Sequence, residues 1–209
     1  MTAYLVAKDL EYSRNDRVLF GDLNFEIRAG EALQIEGRNG SGKTTLLRIL
    51  CGLINADSGQ IFWSGQDIQK QRYDYSINMA YVGHHDGLKG DCTPIENLNL
   101  SHALSAAERK LSAHEALEQV GLKGFDHQIC RTLSAGQRRR VALARLLISP
   151  SKLWILDEPF TAIDKSGIGE LENMISDHVK TGGMVILTSH HDMNLTEIDT
   201  ERLVLGQNS

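Results

Sequence analysis

No stretch of this chain approaches the roughly 20 consecutive apolar residues that a membrane-spanning helix needs. Its first residues, Met1-Thr2-Ala3-Tyr4-Leu5, carry neither the basic start nor the long apolar run of a secretory signal. The expectation is a chain that stays in the cytosol and meets a membrane only through other subunits. Cysteine is scarce: Cys51, Cys92 and Cys130 are far apart, odd in number and without a Cys-x-x-Cys pair, which points away from a disulfide framework and from a zinc site. Basic excess is missing too. With a formal net charge of -5, the chain lacks the clustered Lys and Arg that neutralise nucleic-acid phosphates, and no nucleic-acid partner is expected. Internal repeats, low-complexity tracts and long linkers are absent as well. What is there is 209 residues, 41% hydrophobic and 23% charged, enough for one globular domain with a real core and too few for two large ones.

Short strand-like runs come first: Tyr4 to Ala7, the alternating Leu23-Asn24-Phe25-Glu26-Ile27, and Ala32-Leu33-Gln34-Ile35-Glu36 leading into a Gly-rich turn. The run from Thr44 to Cys51 carries no helix breaker until Gly52, a natural stop. Ile61-Phe62-Trp63 and Met79-Ala80-Tyr81-Val82 read as further strands. From about residue 90 to 147 the pattern turns helical, and two capping boxes mark starts: Thr93-Pro94-Ile95-Glu96, with Pro in the first turn, and Ser112-Ala113-His114-Glu115. Leu153-Trp154-Ile155-Leu156 and Met184-Val185-Ile186-Leu187 are nearly all apolar, as strands covered by helices on both faces must be. The chain therefore reads as a single domain, residues 1–209, with an α/β core (1–89 and 148–209) and an inserted helical block (90–147).

Gly37-Arg38-Asn39-Gly40-Ser41-Gly42-Lys43-Thr44 fits G-x-x-x-x-G-K-[ST] and sits between a predicted strand and a predicted helix, the context the pattern needs. Glycines let the backbone curl so that successive N–H groups face a phosphate, and the helix adds its positive N-terminal end. Lys43 would reach the β- and γ-phosphates, and the Thr44 hydroxyl would face Mg²⁺, with Thr45 beside it. This loop by itself does not choose among ATPases, GTPases and small-molecule kinases.

The buried run Leu153 to Leu156 ends in Asp157-Glu158, where open α/β sheets bind ligands, just past a strand C-terminus. Asp157 is expected to hold Mg²⁺, which keeps much of its water shell and takes few protein carboxylates. Glu158 is expected to orient and deprotonate the attacking water. Leu133-Ser134-Ala135-Gly136-Gln137 opens a third site: Ser134 is placed as an N-cap, and Gly136 allows close approach. That is a second anion-seeking helix end. One nucleotide needs one phosphate cradle, so the second is expected to serve a nucleotide held by another copy. Although Arg138, Arg139, Arg140 and Arg145 follow, Val141, Leu143, Leu146 and Leu147 make a packed helix a better reading than a basic patch.

These residues resemble the ATP-binding cassette (ABC) ATPases, whose Leu-Ser-Gly-Gly-Gln signature is matched except for Ala135, and the resemblance covers essentially the whole chain. It implies a P-loop core of RecA type, an N-terminal antiparallel β subdomain and an inserted α-helical subdomain. It also implies a homodimer in which each ATP lies between one copy's P-loop and the other copy's signature. Ser134, Gly136 and Gln137 would then act in trans, Asp164 would belong to the D-loop that couples the two sites, and His190 would be the switch histidine at the γ-phosphate. Where the family has a glutamine after a Tyr-Val-x strand end, this chain has His84, and a protonated imidazole would repel Mg²⁺. The expected adenine-stacking register gives Arg14, with Tyr12 nearby as the candidate platform.

The loop Gly83 to Lys89, the run Leu133 to Arg140 and the run Asp157 to Asp164 resemble the bacterial cytochrome c maturation ATPases of this family. That resemblance implies CcmB-like and CcmC-like membrane subunits as partners, a place at the cytoplasmic face of the inner membrane, and hydrolysis coupled to haem export. Two alternatives stand beside it: the ATPase of another small-substrate exporter, and a soluble cassette outside transport. The latter usually has two cassettes or a long coiled coil, which this chain lacks. No Asn-Lys-x-Asp guanine motif favours a GTPase.

Overall fold

The computed structural model describes residues 4–15, 17–105, 110–189 and 198–206. In chain order they form β1 (Tyr4–Arg14), β2 (Arg17–Arg28), β3 (Glu31–Glu36), α1 (Lys43–Leu50), β4 (Ser58–Trp63), β5 (Gln66–Asp67), α2 (Arg72–Asn78), β6 (Met79–Val82), α3 (Pro94–Ser105) and α4 (Ala113–Gln119). A short 3-10 turn (Cys130–Thr132) leads to α5 (Ala135–Ile148), β7 (Leu153–Asp157), α6 (Lys165–Lys180), β8 (Met184–Thr188) and β9 (Asp199–Val204). The strands β2, β1, β4 and β5 make an antiparallel sheet in that order, and β6, β7, β8, β3 and β9 make a parallel one.

The parallel sheet explains its own sequence. Every residue of β7 and β8 is buried, because helices cover both faces. Successive side chains alternate between those faces. Leu153, Ile155, Met184, Ile186, Leu33 and Ile35 face a core that includes Leu46, Leu47, Ile49 and Leu50 of α1, whose other neighbours are Leu5, Leu10 and Ile27 of the antiparallel sheet. So α1 is wedged between the two sheets, with those four side chains 0–2% exposed. Burial at that level is worth roughly 1.5–3 kcal/mol per side chain, which makes α1 a rigid pedestal for the loop before it. On the other face, Trp154, Leu156, Val185 and Leu187 meet Leu143 and Leu146 of α5 and Leu171, Ile175 and Val179 of α6.

Three helices, α3, α4 and α5, stand between β6 and β7 around a separate cluster of Leu98, Leu117, Leu122, Cys130, Leu133, Val141 and Ala144. Both expected capping boxes are present. Thr93 N–H donates to Glu96 at 2.8 Å and Glu96 N–H to Thr93 Oγ1 at 3.3 Å, and the Ser112 and Glu115 pair repeats the pattern. The fold is thus the expected α/β core with an antiparallel β subdomain and inserted helices. Elements that the pattern did not announce are β5, α2, α6 and the edge strand β9. Polar residues dominate β9, and Gly167 and Gly169 weaken the helical signal of α6. Among the described residues no helix is long and apolar enough to cross a membrane.

Candidate active site

The loop 37–44 leaves β3 and enters α1 directly, with Gly42 in the left-handed region (φ 101°) as the cap. Gly37 is obligatory on two counts: its φ is 146°, and a Cβ there would stand 2.6 Å from Ser41 Oγ and 2.9 Å from the Leu205 carbonyl. The chain is thereby forced to curl over the end of α1. Lys43 Nζ donates to the Gly37 carbonyl at 2.7 Å, folded across the mouth of its own loop. Ser41 is buried, and its hydroxyl has no hydrogen-bond partner among the described residues.

Asp157 closes β7 opposite this loop. Thr44 Oγ1 donates to Asp157 Oδ1 at 3.3 Å, and Thr188 Oγ1 donates to the same oxygen at 2.9 Å. Asp157 is 2% exposed, and its Oδ2 is buried without a hydrogen-bond partner among the described residues. A buried carboxylate oxygen left unserved is costly unless something cationic takes it. With a threonine hydroxyl beside it, this is a donor set of hard oxygens, which suits Mg²⁺. The residues present therefore fit the ion.

Glu158 follows at φ 49°, a left-handed conformation that is uncommon for a side-chain-bearing residue. Its N–H donates to Thr188 Oγ1 at 3.0 Å, and its carbonyl accepts from Arg139 at 2.9 Å. Neither Thr188 nor Arg139 was singled out from the sequence. Thr188 offered one signal, a hydroxyl ending an apolar strand that lies beside β7. Arg139 offered none, because its neighbours Arg138 and Arg140 look alike in sequence.

Asn39, Gly40, Gly42, Lys43, Thr44, Thr45, His84, Asp157 and Glu158 line one open cleft of about 600 Å³. Arg14, Leu19 and Thr161 line it as well. Gly37, Arg38 and Ser41 shape the loop without lining the cleft. Tyr12, the expected base platform, is not among the lining residues: its ring packs on Phe20, with centroids 6.2 Å apart and planes 28° apart. Arg14, two residues nearer the end of β1, takes the place at the cleft instead. His84 is exposed and stacks edge-on against His85, at 5.6 Å between ring centres. No cluster of three potential metal-ligating side chains exists among the described residues. His190, like its neighbour His191, lies outside the described residues.

Ser134 caps α5 as expected. Its Oγ accepts from Gln137 N–H at 3.2 Å, and Gln137 Oε1 accepts from Ser134 N–H at 2.8 Å. A Cβ on Gly136 would lie 2.6 Å from the Ala162 carbonyl, so glycine lets α5 dock against the loop after β7. Ser134, Gly136, Gln137 and Asp164 line a second concavity of about 530 Å³. Asp164 does not cap α6 through its side chain. One oxygen accepts from Ser166 Oγ at 2.9 Å and the other from Arg140 at 2.6 Å, and these two partners hold the carboxyl below its ordinary value. Among the described residues, none lines both concavities. The helix ends at Lys43 and Ser134 therefore line different concavities.

The family model described as "ABC transporter" matches residues 20–161. The cytochrome c biogenesis ATP-binding export protein CcmA of Hahella chejuensis is 45% identical over 205 residues, 98% of this chain and 97% of that protein. The Escherichia coli (strain K12) protein of the same name is 46% identical over 203 residues, 97% of each. In fold, the chain is similar to the ATP-binding subunit of an ABC transporter, with a TM-score of 0.85, 24% identity, and coverage of 96% of this chain and 85% of that one. It is likewise similar to a dimeric, post-hydrolysis ATP-binding cassette bound to ADP and Pi, with a TM-score of 0.83, 22% identity, and coverage of 96% and 94%.

Proposed function

Because this chain belongs to the ABC transporter family, we propose that two copies close head to tail around two ATP molecules and drive a cytochrome c maturation exporter by hydrolysing them. The chain is the ATP-hydrolysing, nucleotide-binding subunit. The observation that carries the composite site is the separation of its two phosphate-binding helix ends into clefts that share no described residue. A signature that lines a concavity of its own, apart from the one at the loop 37–44, suits a nucleotide held by a second copy.

In this reading the loop 37–44 wraps the phosphates with backbone N–H groups, and Lys43 swings from the Gly37 carbonyl to the β- and γ-phosphates. Thr44 and Asp157 would hold Mg²⁺, and the orphaned Asp157 Oδ2 is the oxygen that gains a partner. Bound there, the ion supplies positive charge across the phosphate oxygens. Glu158 accepts a proton from water as its oxygen attacks the γ-phosphorus. The bond to the β-phosphate oxygen breaks, and the products are ADP and phosphate. Ser134 and Gly136 of the partner subunit complete the γ-phosphate cradle, His190 senses it, and Asp164 links the two sites. Arg14 flanks the base in place of an aromatic ring. The α/β core, residues 1–89 and 148–209, holds the nucleotide, and the block 90–147 carries the signature. The partners are CcmB-like and CcmC-like membrane subunits at the cytoplasmic face of the inner membrane.

Substitution Glu158→Gln tests the reading. Removal of a positioned base lowers turnover by about 10²- to 10⁴-fold, while ATP binding followed with a fluorescent nucleotide stays within about twofold. Unchanged hydrolysis by Glu158→Gln overturns the assignment. Purification of the chain with its native membrane should bring down CcmB-like subunits; recovery of ribosomes or DNA instead overturns the transport reading.

A further inference from the structure

Arg139 is 3% exposed, and its guanidinium is spent almost wholly on backbone. It donates to the carbonyls of Gly83 at 2.6 Å, Asp157 at 2.9 Å, Glu158 at 2.9 Å and Pro159 at 3.3 Å. Its carboxylate partner among the described residues is Asp86, 3.9 Å away. Burial holds the guanidinium below its usual value, against the opposing pull of Asp86, Asp157 and Glu158. A buried ion of this kind is a poor source of stability, since a well-packed apolar side chain of similar volume commonly does as well or better. What the guanidinium adds is geometry: a planar fork of donors that can hold several acceptors at once.

We propose that Arg139 is a positioning residue for hydrolysis, fixing from inside the molecule the backbone that aims Glu158 and tying that backbone to the loop that begins at Gly83. Three consecutive carbonyls, 157 to 159, converge on one side chain. They are the turn in which Glu158 sits at φ 49°. Left-handed backbone is strained for such a residue and persists only where the surroundings over-determine it. The surroundings do so from two sides: Thr188 Oγ1 takes the Glu158 N–H, and Arg139 takes the Glu158 carbonyl. With both peptide groups pinned, the direction in which the carboxylate leaves the chain is set before any nucleotide arrives.

The other end of the clamp gives it reach. Gly83 immediately precedes His84, which lines the nucleotide cleft. Asp86, three residues on, receives a bond from Arg145 to its carbonyl at 2.6 Å and lies 3.8 Å from Arg138. Arg138, Arg139 and Arg145 all stand on α5, the helix whose first turn carries Ser134 and Gly136. The helix that presents the signature outward thus grips the base turn and the His84 loop inward. A movement of α5 against the parallel sheet reaches Glu158 through hydrogen bonds alone.

This inference rests on Glu158 as the base, so the test carries Glu158→Gln as its control. Lysine keeps the charge at position 139 but is a single point with three donors and cannot span carbonyls from two loops. For Arg139→Lys, the expectation is a fall in kcat of about 10- to 100-fold, the size of effect a small misplacement produces, with KM for ATP within about twofold. In the Glu158→Gln background, Arg139→Lys should leave the residual single-turnover rate unchanged, because it acts through the missing base. Arg139→Met, which has no donor, should match Arg139→Lys in kcat. Wild-type turnover by Glu158→Gln overturns the functional reading itself. Loss in Glu158→Gln with kcat kept in Arg139→Lys overturns the positioning role alone. A further loss in the double variant, a KM that rises in step with the fall in kcat, or failure of both position-139 variants to fold makes Arg139 a scaffold residue and also overturns it.

Discussion

His178 lies face to face on Trp154, ring centres 3.7 Å apart and planes within 4°, and burial pushes its imidazole down to about 4. The fold thus refuses a proton that the unfolded chain accepts below about pH 6.5. In that window the unfolded state binds more protons, so stability falls as the pH drops from 6.5 toward 4. We expect about 2–3 kcal/mol of acid destabilisation from this one group by pH 4.5, and His178→Phe, which keeps the stack, should remove it in urea titrations at pH 7 and pH 4.5. The His114 imidazole, bonded to Asp126 at 2.7 Å, has the opposite sign. That bond, and the charge of Asp126, raise its value, so its contribution is present below the ordinary histidine range and fades as the pH rises through the raised one. At Gly37 the consequence is steric. Gly37→Ala places a methyl 2.6 Å from Ser41 Oγ at a strained φ, and it should weaken ATP binding by at least about tenfold while leaving the melting of the core in place. Nucleotide titration alongside thermal denaturation separates the two effects. That glycine was legible as part of a motif; the carbonyl of Leu205 that makes it obligatory was not, since the two lie far apart in the chain and only folding brings them together.

At the scale of elements, the capping boxes carry the clearest division between stability and chemistry. Ser112 caps α4, and its hydroxyl is far in function from either concavity: it bonds Glu115 N–H at 3.2 Å. Loss of such a cap costs about 1 kcal/mol, so Ser112→Ala should lower the urea midpoint without changing ATP turnover. Ser134 caps α5 by the same pattern but lines the second concavity. Ser134→Ala should therefore cost both stability and turnover, and comparison of the pair isolates the functional share. Elements with caps, breakers or wholly apolar runs were readable in advance, from α1 with Gly52 after it to β7 and β8. The edge strand β9 was not. A strand with no fully buried residue, only Leu203 leaning on the core, has no periodic apolar signal, and its place follows from the free edge that β3 offers.

In the proposed reading the whole molecule presents half of each of two sites. If the second half comes from another copy, Glu158→Gln with ATP should run at twice the 23.2 kDa chain mass in light scattering, because closure persists when hydrolysis is blocked. Ser134→Arg in the same background should keep it monomeric, and a dimer indifferent to ATP and to Ser134 would sink the composite site. The proposed chemistry is written locally: G-x-x-x-x-G-K-T, the acid pair after an apolar strand and the signature are each contiguous, because each is one turn of backbone with its own caps and glycines. Their meeting was not local. That Thr44 and Thr188 share one oxygen of Asp157, that Tyr12 turns to Phe20 and leaves the cleft to Arg14, and that a guanidinium from α5 holds the turn of Glu158 depend on packing between elements tens of residues apart. Sequence determines which donors and acceptors exist and which face each takes along its own element; only the tertiary structure decides which buried polar groups must satisfy one another.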